Sequence, residues 1–229
     1  MFALLTPARA RILLPGVRMR AGPSGTRATA LARHERAPSG EVRVVPIPSL
    51  LVPILVSAVI VFLASWLMHM LLPLHKSDFS KLPSEDEVAD ALRKFNIPPG
   101  DYMMPRPAGP QDMRSPEYRA KMTRGPIAVM TFMKPGPPNM GANLLQWFIY
   151  LLVVGVLAAY VTGRAVGPGT EYLRVFRFAG CTAFIAHSVA MWQDSIWYKR
   201  AWSTTLKYTF DGLIYGLLTA GTFGWLWPR

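Results

Sequence analysis

Four long apolar runs divide the chain, at about 48–72, 144–163, 175–198 and 208–227, and polar or proline-rich stretches separate them. A bilayer needs about 20 residues of helix per crossing, and each run is long enough. From Ser49 to Leu72 the only ionisable side chain is His69. Pro46, Pro48 and Pro53 stand at the entry of that run, where a missing backbone donor is tolerated. The pattern predicts an all-α membrane protein: four transmembrane helices, with a Pro-rich extramembrane cap between the first and the second.

The cap covers 75–143. Within it, Ser84-Glu85-Asp86-Glu87 reads as a capping box ahead of Val88, Leu92 and Phe95, and so predicts a short helix near 85–95. Asn96-Ile97-Pro98-Pro99-Gly100 should end it. Eight further prolines between Pro105 and Pro138 disfavour long helices and central strands. Ile127 to Met133 is the one run with strand character. The cap is expected to pack onto the spans, because it is too small and polar for a core of its own. Residues 1–44 stand apart, with eight Arg, no Lys and only Glu35 and Glu41 as acids. They read as a disordered Arg-rich tail or a spurious N-terminal extension, with a transit peptide as the sharper alternative.

Charge changes the picture little. The formal net charge is +12, 51% of residues are hydrophobic and the mean hydropathy is +0.23. The basic residues lie in tails and loops beside the apolar runs, which suits topology signals and lipid headgroups better than nucleic acid, so no nucleic-acid partner is expected. All seven lysines fall on the cap side, which by the positive-inside rule points to a cytoplasmic cap if the Arg-rich tail is absent, whereas a cytoplasmic tail argues for the opposite orientation. Cys181 is the only cysteine, so an intrachain disulfide is excluded.

Candidate chemistry sits inside the last two spans. His187, Asp194 and Asp211 are ionisable groups where hydrocarbon penalises them, and such groups mark a functional site by default. Gly180, Ala183, His187, Ala190 and Asp194 follow a 3-4-3-4 spacing on one face. Asp194 and Asp211 approach the same membrane boundary, so an intramembrane polar network of His187, Asp194 and Asp211 is expected. Gly212, Gly216, Ala220 and Gly224 recur every four residues and form a helix-packing stripe. Its partner is either the third span or a second protein. Met is dense in the cap and His69 and His75 lie nearby, but the irregular spacing does not make a copper site. Haem between His69 and His187 is disfavoured by their different depths. No metal ligand and no cofactor is therefore expected. Walker, Gly-x-Ser-x-Gly and His-Glu-x-x-His motifs are absent from the sequence.

His75-Lys-Ser-Asp-Phe79, Phe95-Asn-Ile-Pro-Pro-Gly-Asp-Tyr102 and Asp211-Gly-Leu-Ile-Tyr-Gly-Leu-Leu-Thr-Ala-Gly-Thr-Phe-Gly-Trp-Leu-Trp-Pro228 together resemble a group of small bacterial four-span integral membrane proteins of unknown function. The resemblance covers about 47–228. It implies a bacterial inner-membrane location and no activity. The sequence reading is a non-enzymatic accessory or scaffold component, partnered by the lipid bilayer and by another membrane protein or a second copy. The alternative is a small transporter or proton-conducting channel that uses the polar face of the third and fourth spans.

Overall fold

The computed structural model describes residues 44–229; the 1–43 part of the expected tail lies outside them. The chain is mostly helical. Helix α1 (Leu51–Met70) follows a 3-10 turn at Ile47–Leu50, and a second 3-10 turn, Pro73–His75, follows α1. The long helices after it are α4 (Met140–Ala165), α5 (Tyr172–Ser188) and α7 (Trp202–Trp225). Between α1 and α4 lie α2 (Glu85–Arg93), β1 (Gly100–Met104), α3 (Pro116–Arg124) and β2 (Ala128–Phe132).

Three helical segments, Ile47–Met70, Met140–Ala165 and Tyr172–Trp197, are long and apolar enough to cross a membrane. Helix α7 is as long, but its five Thr, four Gly, Lys207 and Asp211 make it less apolar. Burial accounts for that composition. Thr204, Thr205, Gly212, Tyr215, Gly216, Thr219, Ala220 and Phe223 of α7 are all buried against the other helices.

The four long helices pack in a ring in which α1 meets α4 and α7, and α5 meets α4 and α7. The α5–α7 seam is the closest. A Cβ on Gly216 would stand 3.1 Å from Phe184 Cβ and 3.2 Å from the Gly180 carbonyl oxygen, and one on Gly180 would stand 2.8 Å from Ala220 Cβ. A Cβ on Gly212 would run into the Ser188 hydroxyl, and one on Gly224 into the Tyr172 ring. The small-residue stripe of Gly212, Gly216, Ala220 and Gly224 thus faces α5. Helices in lipid associate through such backbone approach, since lipid tails are as apolar as leucine. Leu55, Leu63, Leu145 and Leu206 point outward and are exposed, as a lipid-facing surface requires.

Two expectations are corrected. The third apolar run is not one helix over 175–198: a 3-10 turn at Val189–Met191 separates α5 from the short α6 (Trp192–Trp197). In the cap, Ser84 takes a left-handed conformation and makes no side-chain cap bond, so the capping box is not formed although its helix is. The strand character expected of Ile127–Met133 is found, since β2 lies within that run. β1 and β2 form an antiparallel two-stranded ribbon, pairing Gly100 with Phe132 and Met104 with Ala128. Pro116 opens α3 at its first turn, where proline is favoured, and the Ser115 hydroxyl accepts from the Tyr118 N–H.

Candidate metal centre at the polar end of the bundle

The cap-side end of the bundle gathers four groups from three parts of the chain. His69 ends α1, His75 closes the 3-10 turn after it, Asp78 follows, and Asp211 projects from α7. The His75 ring lies parallel to His69, with centroids 4.3 Å apart. His75 Nδ1 is 2.7 Å from Asp78 Oδ2, and Nε2 is 2.9 Å from Asp211 Oδ2. His69 Nε2 is 3.9 Å from the same Asp211 oxygen, while its Nδ1 is 3.0 Å from the Ser65 carbonyl oxygen. Lys207 donates to Asp78 at 2.9 Å and to Ser77 at 2.8 Å. The side chains of Asp78 and Asp211 are almost wholly shielded, and His75 is 11% exposed.

Two facts about this cluster have a physical consequence. One is what its members lack. His75 Nε2 and both Asp211 oxygens are buried without a hydrogen-bond partner among the described residues. The 2.9 Å separation of His75 and Asp211 is an ion-pair distance, but it lacks the alignment of a hydrogen bond. A buried carboxylate is costly unless its partners satisfy it, and His75 is the nearest partner that Asp211 has. The other fact is what the histidines possess. Each has its Nδ1 against an acceptor, a backbone carbonyl for His69 and a carboxylate for His75. A proton on Nδ1 leaves the Nε2 lone pair free, and this second partner is what metal-ligating histidines regularly have.

Asp78 is suited to that supporting role. Burial alone would raise its carboxyl, but hydrogen bonds from Lys207 and His75, with the charges of both, outweigh it and hold the group below its ordinary value. It therefore stays an acceptor for the His75 N–H.

His69, His75 and Asp211 offer two imidazole nitrogens and a carboxylate oxygen, all within 4.8 Å of one another. Two ligand atoms on one zinc-like ion stand about 3 Å apart, given bonds near 2.0–2.2 Å. His75 and Asp211 already meet that spacing. Parallel rings cannot both aim lone pairs at one point, so His69 must turn out of the stack. Its side chain, 38% exposed, has room to do so. Two histidines and one carboxylate suit a divalent first-row ion and leave further positions open.

Beside His69 and Asp211 lies a cavity of about 580 Å³. Phe62, Trp66, Trp147 and Met191 line it together with His69, His187, Asp211 and Tyr215, although the Asp211 oxygens and the Tyr215 hydroxyl are themselves buried. His187 lies one helical layer deeper, enclosed edge-on by Tyr150 and Tyr215 at centroid distances of 5.5 and 5.4 Å. Beneath it, Ser57, Ala58, Val61, Leu151, Val154 and Thr219 leave no space for a water-sized molecule.

Of the three residues expected in one polar network, the structure brings His187 and Asp211 to the same cavity. Asp194 stands outside it, and no hydrogen bond or ion pair joins it to Asp211 among the described residues. Asp211 finds His75 instead. The sequence signal for that pairing existed: His69, His75 and Asp211 all fall at one membrane boundary, and Leu72-Pro73 turns the chain back over the end of α1. No family model matches the chain, and neither a curated protein nor a solved structure matches it.

Proposed function

We propose that the protein is a four-span integral membrane protein, with α7 as the fourth span, whose functional centre is a divalent-metal site formed by His69, His75 and Asp211. The resemblance noted above supports a bacterial inner-membrane location. The observation that carries the metal reading is the grouping of three ligand atoms within 4.8 Å, of which His75 Nε2 and the Asp211 oxygens are buried without a hydrogen-bond partner among the described residues. In a purely packing role, as in an accessory or scaffold protein, the shielded Asp211 carboxylate has only the misaligned His75 contact to offset its burial. Passage of an ion through the bundle is the second reading, and it fits less well because the space between His187, Ser57, Leu151 and Thr219 holds no water-sized molecule. A resident ion beside a cavity fits both observations.

Metal analysis of the purified protein tests this. After dialysis against zinc at a free concentration set by a chelator, the wild type should retain about one equivalent. His75→Ala and Asp211→Ala should each retain far less, since loss of one of three protein ligands removes most of the affinity. Equal zinc in the wild type and both variants would defeat the assignment.

A further inference from the structure

The second half of the extramembrane segment, 105–139, carries a charge that nothing in the fold answers. Arg106, Arg114, Arg119, Lys121, Arg124 and Lys134 are all exposed, and none of them makes an ion pair among the described residues. The acids of this stretch are Asp112 and Glu117. Asp112 is already engaged, accepting from the Ala108 N–H at 2.8 Å and from the Ser115 hydroxyl at 3.3 Å. The first half, 79–104, is built the other way. Acids outnumber bases there five to three, and Lys81 and Arg93 pair with Glu85 and Asp90. The excess of cations is thus confined to one stretch. Large apolar side chains are interleaved with it. Ile127, Val129 and Met133 take odd positions along β2 and its flanks, and are 58, 49 and 83% exposed. Arg124 stands just before them and Lys134 directly after. Water suits those cations and does not suit the apolar residues between them.

We propose that 105–139 is a lipid-docking surface, on which these basic side chains bind anionic phospholipid headgroups while Ile127, Val129 and Met133 enter the boundary beneath them. Basic residues beside a membrane helix attract acidic lipids over about a Debye length, and apolar neighbours add burial. The tether selects this partner. Asn139 caps α4, its side-chain oxygen accepting from the Ala142 N–H, so the surface ends where a helix long and apolar enough to cross a membrane begins. From Lys134 to that cap the chain reaches at most about 18 Å when fully extended. Cations held so near a bilayer meet its headgroups at an effective concentration that a soluble partner lacks. Docking requires that α4 cross the bilayer and does not involve the metal centre.

The accessibility of a reporter on the full-length protein tests it. Met133→Cys, combined with Cys181→Ser and labelled with an environment-sensitive fluorophore, is placed in nanodiscs of phosphatidylcholine, with and without phosphatidylglycerol. Acrylamide, a neutral quencher, reads the exposure of the label. The expected result is quenching about threefold weaker in the anionic discs, with blue-shifted emission, because the label lies below the headgroups. Salt at about 1 M, which shortens the Debye length to about 3 Å, should restore the quenching. Arg119→Gln, Lys121→Gln and Arg124→Gln together should restore it without salt. These side chains make no ion pair, so the thermal unfolding of the bundle should not change. Equal quenching in the two bilayers overturns the proposal, as does protection that survives both the salt and the triple substitution. Protection by polyuridylate in neutral discs, with none from phosphatidylglycerol, would give the surface to nucleic acid and overturns it as well.

Discussion

The helical bundle and the segment 79–139 are built by different physics. In the bundle, whole faces are buried. Ala58, Val61, Ala158, Val175, Ala179, Ala183 and Ala220 are sealed between helices, and two apolar clusters fill the space on either side of the midplane. In 79–139 no residue is buried at all. Order there is local: the β1–β2 ribbon, the Thr131–Asp101 hydrogen bond, the Tyr102–Phe132 edge contact and the Ser115 cap. The cap was expected to pack onto the spans, yet Phe79, Phe95 and Met133 are the outstanding exposed apolar residues of this stretch. A segment that buries nothing cannot draw stability from apolar burial. The bundle's own unsatisfied polar atoms then stand out, because they sit where everything else is packed.

The contrast can be broken most forcefully at the α5–α7 seam. Gly216→Leu should destabilise the bundle by about 3 kcal/mol or prevent folding, the upper end of the cost of overpacking. Leu217→Ala, on the exposed side of the same helix, should shift stability far less. Thermal unfolding of the two variants in the same detergent measures the difference, and equal shifts would remove the seam from the account. Next in size is the support of the metal cluster. Asp78→Ala should lower zinc affinity about 10–100-fold, as second partners of metal-bound histidines do, while the melting curve of the zinc-free protein changes little. A competition titration with a chromophoric chelator reads the affinity; an unchanged constant would mean that Asp78 does not orient His75.

A smaller effect is expected at Trp147→Phe. This removes the 2.9 Å hydrogen bond to the Ser65 hydroxyl that ties α4 to α1, worth about 1 kcal/mol. Detergent unfolding checks it. The smallest effect should lie in the segment itself. Phe95→Ala removes a large apolar side chain that is 73% exposed, and should stay within about 0.5 kcal/mol. A loss of several kcal/mol would show that the segment is covered in the membrane-bound protein.

Much of the bundle was legible because hydrophobic runs record helices directly. Gly212, Gly216, Ala220 and Gly224 announced a close seam by spacing alone. The break after Ser188 was not legible, since Val189-Ala190-Met191 carries no Pro or Gly to mark it. Asp211 meets His75 in place of the expected Asp194. In the cap, proline density hid β1, whose five residues contain no proline and lie between Pro99 and Pro105. The site was half visible. His187 and Asp211 stood out as charges in apolar runs, whereas His75 sits in a polar loop and becomes notable only when Pro73–His75 folds back beneath α7.

The central claim is that His69, His75 and Asp211 hold one ion through nitrogen and oxygen alone. X-ray absorption at the zinc edge of the zinc-loaded protein tests it most directly. The account predicts a first shell of nitrogen and oxygen near 2.0–2.2 Å, with the outer-shell scattering of about two imidazoles that falls to one in His75→Ala. A sulfur shell near 2.3 Å, or a wild-type spectrum without imidazole scattering, would contradict it.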